Sequence, residues 1–235
     1  MTFTPLPSMR IIYFSNQSSE VVNAVIEGLE ALGQRVLLLV TTPELLALPR
    51  LGCVNTHPSL LPRYRGPNPL FWQFMNGETQ GGLTMHRMDV DFDTGPILVQ
   101  RAIEIAPDDD VDNFFPKLLA IGQPMIPEML QAVAAGVSGT PQPSEGASYA
   151  PLCTDAERWL DWTHPAAHLR NQVRGWGSQG AMATIDGQTY LVCRARTVAS
   201  TANTQPGALL GRTGTTLLVQ TGEGALLIEN FKSVL

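Results

Sequence analysis

An amide, an imidazole and a carboxylate, at Asn55, His57 and Asp93, are the side chains of this chain best suited to chemistry. Together such groups can polarise a carbonyl, move a proton and orient the group that moves it. The first two lie in GCVNTHPSLLPRYRGPNP, residues 52–69, and the third in MDVDFDTGPIL, residues 88–98. Asn55 and His57 are two positions apart. On a strand over 52–56 they point to the same side, with His57 just past its end. The L-L-P and R-G-P steps forbid a helix there, so the chain must turn sharply and leave that strand end open. In open α/β sheets, strand ends are where ligands sit.

The elements that must position these groups start with β-α-β. Residues 10–15 form a short apolar run suited to a buried parallel strand. Residues 18–32 carry Val22, Val25, Ile26, Leu29 and Leu32 at helical spacing, with Gly33 as a stop, and 34–40 make the next strand. This order opens a doubly wound, mostly parallel α/β sheet. The turn at 15–19 has no glycine, which argues against a dinucleotide on it. Only the ten residues 42–51 precede the expected strand at Gly52, whereas a parallel crossover needs about a dozen or more.

Further on, Leu70, Phe71 and Phe74 share one face of a short helix over 70–76, ended by Gly77. Strands at 82–89 and 97–105 flank the D-T-G turn. Asp108, Asp109 and Asp110 cap the following helix, and Pro116, Pro124 and Pro127 divide that region into two short helices. GVSGTPQPSEG, residues 136–146, reads as a linker. Beyond it lie an amphipathic stretch at 164–173 and strand-like runs at 181–185, 190–198, 216–221 and 225–231, which suggest a small β-barrel. The expected division is a catalytic domain over 9–138, a linker over 139–150 and a C-terminal barrel over 151–235.

Bulk properties narrow the setting. With 235 residues, 44% hydrophobic and 15% charged, the chain can form a sizeable globular core as one large domain or two small ones. A net charge of −6 argues against a broad nucleic-acid footprint, although a local basic patch escapes that test. Cys53, Cys153 and Cys193 are scattered, without a C-x-x-C pair, and fit reduced thiols rather than a disulfide frame or zinc site. No apolar run has the length of a membrane span, and residues 1–8 lack the features of a signal peptide. A cytoplasmic protein without a membrane partner is expected.

Asn55, His57, Ser59-Leu60-Leu61-Pro62, Arg65-Gly66 and Pro69, followed by Asp93-Thr94-Gly95, resemble the signature of the folate-dependent formyltransferases. The pattern is similar to that of methionyl-tRNA formyltransferases and of sugar or amino-acid N-formyltransferases on the same plan. Independently, SYAPLCTDAERWLDWTHPAAHLRNQVRG, residues 148–175, resembles the entry into their small OB-like C-terminal barrel. Such enzymes carry a longer stretch where this chain has 42–51, including a strand that lines the folate pocket and, in the tRNA enzymes, a loop that touches the acceptor stem. Whether the cofactor side of the pocket is reduced or residues are missing from the sequence stays open.

The resemblance implies attack of a primary amine on the formyl carbon of N10-formyltetrahydrofolate, with no metal. Asn55 and His57 would donate to the oxygen on which negative charge builds, and the imidazole would exchange the amine's proton. Asp93 would either fix the imidazole or hold a water that relays the proton. Asp93, Thr94, Gly95 and Ser59 fall on the cofactor side, with Gly95 letting the backbone approach a flat ligand. Arg65 and Gly66 fall on the substrate side. Simpler readings stand beside these: Asn55 as a turn residue, Ser59 satisfying backbone groups, Arg65 in a surface pair, His86 as a half-buried strand residue. His164 and His168 read as solvated, Trp159 and Trp162 as anchors of the linker. Arg170, Arg174, Arg194, Arg196 and Arg212 give a mild basic bias.

Four functions follow. The leading expectation is N-formyl transfer to a small-molecule amine such as an amino sugar, an amino acid or a biosynthetic intermediate. The alternatives are methionyl-tRNA formylation, formyltetrahydrofolate hydrolysis, and a degenerate binding protein without turnover.

Overall fold

The computed structural model describes residues 49–234 together with the backbone of β1 (Arg10–Tyr13) and β2 (Arg35–Leu38). These two pair in parallel, Arg10 opposite Arg35 through Tyr13 opposite Leu38. The leader at 1–8, the turn at 15–19, the helix expected over 18–32 and residues 42–48 of the short connection lie outside the described residues. The chain divides into two compact units. One holds the described residues up to Arg65, Gly82–Ile103 and Lys117–Tyr149; the other holds Gly66–Gly81, Glu104–Pro116 and the residues from Ala150 onward.

A three-stranded sheet in the order β3-β4-β5 positions the motif residues, with β3 at Val54–His57, β4 at Gln80–Arg87 and β5 at Ile97–Glu104. β3 and β4 are antiparallel, Asn55 opposite His86 and His57 opposite Thr84. β4 and β5 form a hairpin, closed by the Arg87 N–H donating to Pro96 O at 2.9 Å. The expected mostly parallel sheet is therefore corrected for these strands. The loop between β4 and β5 is too short for a parallel crossover, so β5 can only return antiparallel. β4 is the central strand, and Gly81 to His86 are all buried, which replaces the expected alternation by a continuous buried run.

Helix α1 (Pro69–Met75) follows the R-G-P turn and starts on its proline, which has no N–H to leave unpaired. Helix α2 (Val111–Gly122) is capped by Asp110: its Oδ1 accepts from the Asn113 N–H at 3.0 Å while Asn113 Oδ1 accepts from the Asp110 N–H at 3.0 Å. Pro116 is accommodated inside α2, and Pro124 separates α2 from α3 (Met125–Ala134), giving the two helices expected.

In the second unit, after α4 (Asp155–Arg158), α5 (Ala166–Trp176) lies on a five-stranded antiparallel sheet in the order β6-β7-β10-β9-β8. Its strands are β6 (Ala181–Ile185), β7 (Gln188–Val198), β8 (Leu209–Arg212), β9 (Leu217–Gln220) and β10 (Ala225–Ser233). Leu169 and Val173 of α5 meet Val192, Val219, Leu226 and Ile228 of the sheet in one buried core. Asp186 and Gly187, both at positive φ, make the two-residue turn between β6 and β7. β6 and β8 are the edges, so the pairings among the described residues form an open sheet, and the expected barrel closure is not among them. Trp162 Nε1 donates to Thr184 O at 2.9 Å and ties the incoming segment to β6. Among the described residues no helix is long and apolar enough to cross a membrane.

Candidate active site

The register of β3 against β4 decides which polar side chains meet. Asn55 and His57 alternate along β3 and share a face, and Asn55 lies directly opposite His86 on β4. Asp93, from the loop between β4 and β5, reaches all three. Its Oδ1 accepts from Asn55 Nδ2 at 3.0 Å and lies 3.3 Å from His86 Nε2; its Oδ2 lies 3.4 Å from His57 Nδ1. The two imidazole rings stand nearly perpendicular, 6.5 Å apart between centroids.

The loop that carries Asp93 is tightly held. Asp93 has a left-handed φ of 57°, which costs a residue with a side chain roughly 1–3 kcal/mol unless its surroundings impose it. Thr94 Oγ1 donates to Asp89 Oδ1 at 2.6 Å. Gly95 packs against β4 so closely that a Cβ there would stand 1.9 Å from Arg87 O. The space a side chain would need at Gly95 is thus filled by the protein's own strand.

Backbone carbonyls fix where the ring protons sit. His57 Nε2 donates to Tyr64 O at 2.7 Å, and His86 Nδ1 donates to Arg87 O at 2.8 Å. A carbonyl only accepts, so each neutral ring keeps its lone pair on the other nitrogen, and both of those nitrogens face Asp93. His86 Nε2 is buried without a hydrogen-bond partner, 3.3 Å from Asp93 Oδ1. Burial lowers the pKa of His57; the Asp93 charge and the Tyr64 carbonyl pull it upward and do not fully compensate. Two lone pairs and a carboxylate in a buried site form a cluster with places for added protons. Asp93 is its most open member, with a side chain 11% exposed against 5% for His57 and 2% for His86. Asn55, half-buried, donates one amide hydrogen to Asp93 and has a second to offer a ligand oxygen.

The other expected residues take internal positions. Ser59 is fully buried; its Oγ donates to Arg63 O at 2.7 Å and its backbone carbonyl accepts from Thr84 Oγ1 at 2.6 Å. Gln100 Nε2, bonded to Leu61 O at 3.0 Å, completes that turn. Arg65 Nε and Nη2 donate to Gln142 Oε1 at 3.0 and 2.7 Å, and Gly66 is buried with φ 101°. His86, expected to be half-buried, is almost fully buried and belongs to the cluster. Only the antiparallel β3–β4 register could have pointed to it. Gln142 was also missed: it donates to Asp93 O at 2.7 Å and Gly95 O at 2.8 Å from the presumed linker.

The formyl transferase family model matches residues 9–130, and the model for the C-terminal domain of formyl transferases matches 153–233. The methionyl-tRNA formyltransferase of Geobacter sulfurreducens is 40% identical over 193 residues, covering 80% of this chain and 60% of that protein. The chain thus spans about three-fifths of that relative's length. HypX from Aquifex aeolicus, solved with tetrahydrofolic acid, superposes with a TM-score of 0.72 at 20% identity over 97% of this chain and 44% of its own. The N-formyltransferase from Helicobacter canadensis, solved with folinic acid and dTDP-3-aminofucose, gives 0.71 at 14% identity over 95% of this chain and 100% of its own. At those identities the two structures speak for the fold alone. The matches to both domain families and to the Geobacter enzyme go further, and by them this chain belongs to the folate-dependent formyltransferase family.

Proposed function

We propose that the chain is an N-formyltransferase that moves a formyl group from N10-formyltetrahydrofolate to a primary amine. The observation that carries this reading is the convergence of Asn55, His57 and His86 on the Asp93 carboxylate. Val90 and Phe92, 80% and 75% exposed on the same loop, add an apolar surface that suits the flat ring system of the donor. When bound, the donor supplies an activated formyl carbon.

Asn55 holds the formyl oxygen with its second amide hydrogen and stabilises the charge that gathers there. Asp93 takes the proton that the amine sheds as its nitrogen bonds to the formyl carbon. His57 Nδ1 or His86 Nε2 receives that proton from the carboxylate. It returns by the same route to the donor nitrogen when the bond from that nitrogen to the formyl carbon breaks, so protons balance over the cycle. Both ring nitrogens of His57 already face protein groups. This favours the relay role for Asp93 over direct contact between His57 and the formyl oxygen.

For the acceptor, 40% identity to a methionyl-tRNA formyltransferase favours methionyl-tRNA. A net charge of −6 favours the second reading, a small-molecule amine. The test incubates the purified chain with N10-formyltetrahydrofolate and either methionyl-tRNA or a panel of amino sugars and amino acids, and follows the formyl label. Formylated product identifies the acceptor. Formate released without any amine would replace the reading by hydrolysis, and absence of both product and folate binding would overturn it.

A further inference from the structure

Residues 140–149 bond to the loop that carries Asp93 and to the turn that follows His57. Thr140 and Ile97 exchange two backbone hydrogen bonds of 2.8 Å each. Gln142 Nε2 donates to Asp93 O at 2.7 Å and Gly95 O at 2.8 Å, while its Oε1 accepts from Arg65 Nε at 3.0 Å and Nη2 at 2.7 Å. Ser148 Oγ accepts from the Tyr64 N–H at 2.9 Å, its carbonyl accepts from the Arg65 N–H at 2.9 Å, and its own N–H donates to Pro62 O at 3.2 Å. One segment therefore grips the loop of Asp93 and the turn whose Tyr64 carbonyl orients His57.

We infer that Gln142 is a positioning residue of the site: by holding the carbonyls on either side of Thr94 and the guanidinium of Arg65, it sets the place of the Asp93 carboxylate. The position needs two donors and one acceptor on a single planar head, which a glutamine amide supplies. Glutamate cannot donate, lysine cannot accept, and asparagine falls one methylene short. Pro141 and Pro143 on either side restrict the backbone and aim the head. Arg65, a cation, polarises the amide it bonds and strengthens the two N–H donors beyond it. The left-handed backbone of Asp93 persists only where its surroundings impose it, and Gln142 binds Asp93's own carbonyl and the one two residues on. Arg65 on this view serves the loop through Gln142.

The effect on rate rests on the transferase reading above; the effect on the imidazole does not. The test compares wild type with Gln142→Met, which keeps the stem without the bonds, and Gln142→Ala, both checked for folding by thermal melting. The chain has 4 histidines, so ring signals can be assigned by single substitutions and the His57 titration followed by NMR. Both variants should move the His57 titration to lower pH, because the carboxylate that raises it is no longer held in place. They should also lower the formyl-transfer kcat by roughly 10- to 100-fold with little change in donor KM. A folded variant with His57 titration and kcat both at the wild-type values would overturn the inference. A wild type that transfers no formyl group would sink the functional reading instead, and the NMR comparison would still decide the part of Gln142.

Discussion

Asn55 and His86 face each other across the β3–β4 ladder and approach the same oxygen of Asp93, Oδ1, at 3.0 and 3.3 Å. On the proposed reading the amide has two tasks, one hydrogen to hold the carboxylate and one to hold a ligand oxygen. Asn55→Ala removes both and should lower kcat by roughly 10²- to 10³-fold, about 2.7–4 kcal/mol, the usual cost of one oxyanion donor. Asn55→Asp should be worse, since it sets a second carboxylate against Oδ1. Steady-state kinetics with saturating donor decides; an alanine variant within a factor of two or so of wild type would remove Asn55 from the chemistry.

His86 stands beside His57, ring centroids 6.5 Å apart, and both approach the same carboxylate. A charged His86 pulls the pKa of His57 down, so His86→Gln should move the His57 titration upward and lower kcat by about tenfold. Glutamine can still donate to the Arg87 carbonyl, which separates loss of the proton site from loss of packing. NMR titration of the His57 ring in the variant checks this. An unmoved titration with unmoved kcat would make His86 a packing residue.

Stability should fall on acidification because of His57 and, apart from the Asp93 cluster, His168. Burial holds the pKa of His57 below its ordinary value of 6.5, and burial beside His164 acts in the same direction on His168. In the window below 6.5 the unfolded chain therefore binds protons that the folded chain refuses. Stability present above that value is lost as pH drops through the folded pKa. Urea midpoints from about pH 7 to about pH 5 should decline in wild type and decline less in His57→Gln. Parallel declines in the two proteins would place the acid sensitivity elsewhere.

Local signals were legible where one residue dictates its own conformation. The R-G-P step turned the chain ahead of α1, Asp110 capped α2, Pro124 parted α2 from α3, and Asp186-Gly187 turned β6 into β7. Long-range pairing was not legible. Four-residue β3 gives no clue to the direction of its partner, so the antiparallel sheet was read as parallel and His86 was missed. Gln142 escaped for a related reason. The groups it donates to are the backbone carbonyls of residues 47 and 49 positions away, and carbonyls carry no sequence identity. The short elements α4 and β8, four residues each, are below the length at which periodicity shows.

Gly95 offers the most severe steric test of the loop that carries Asp93. A Cβ at this position would lie 1.9 Å from the Arg87 carbonyl oxygen and 2.9 Å from its carbon, both backbone atoms of β4 that cannot rotate away. Gly95→Ala must therefore push the loop off the strand, which also strains the Gln142 bond to Gly95 O and moves Asp93 away from His57 and His86. Overpacking of this kind costs about 1–3 kcal/mol, and the displaced carboxylate should remove most of the activity as well. Gly214 is the matched control, because an added Cβ there meets nothing within 4 Å. Gly95→Ala should melt several degrees below wild type while Gly214→Ala stays near it. If Gly95→Ala kept both its melting temperature and its kcat, the close packing of this loop on β4 would not be what places Asp93.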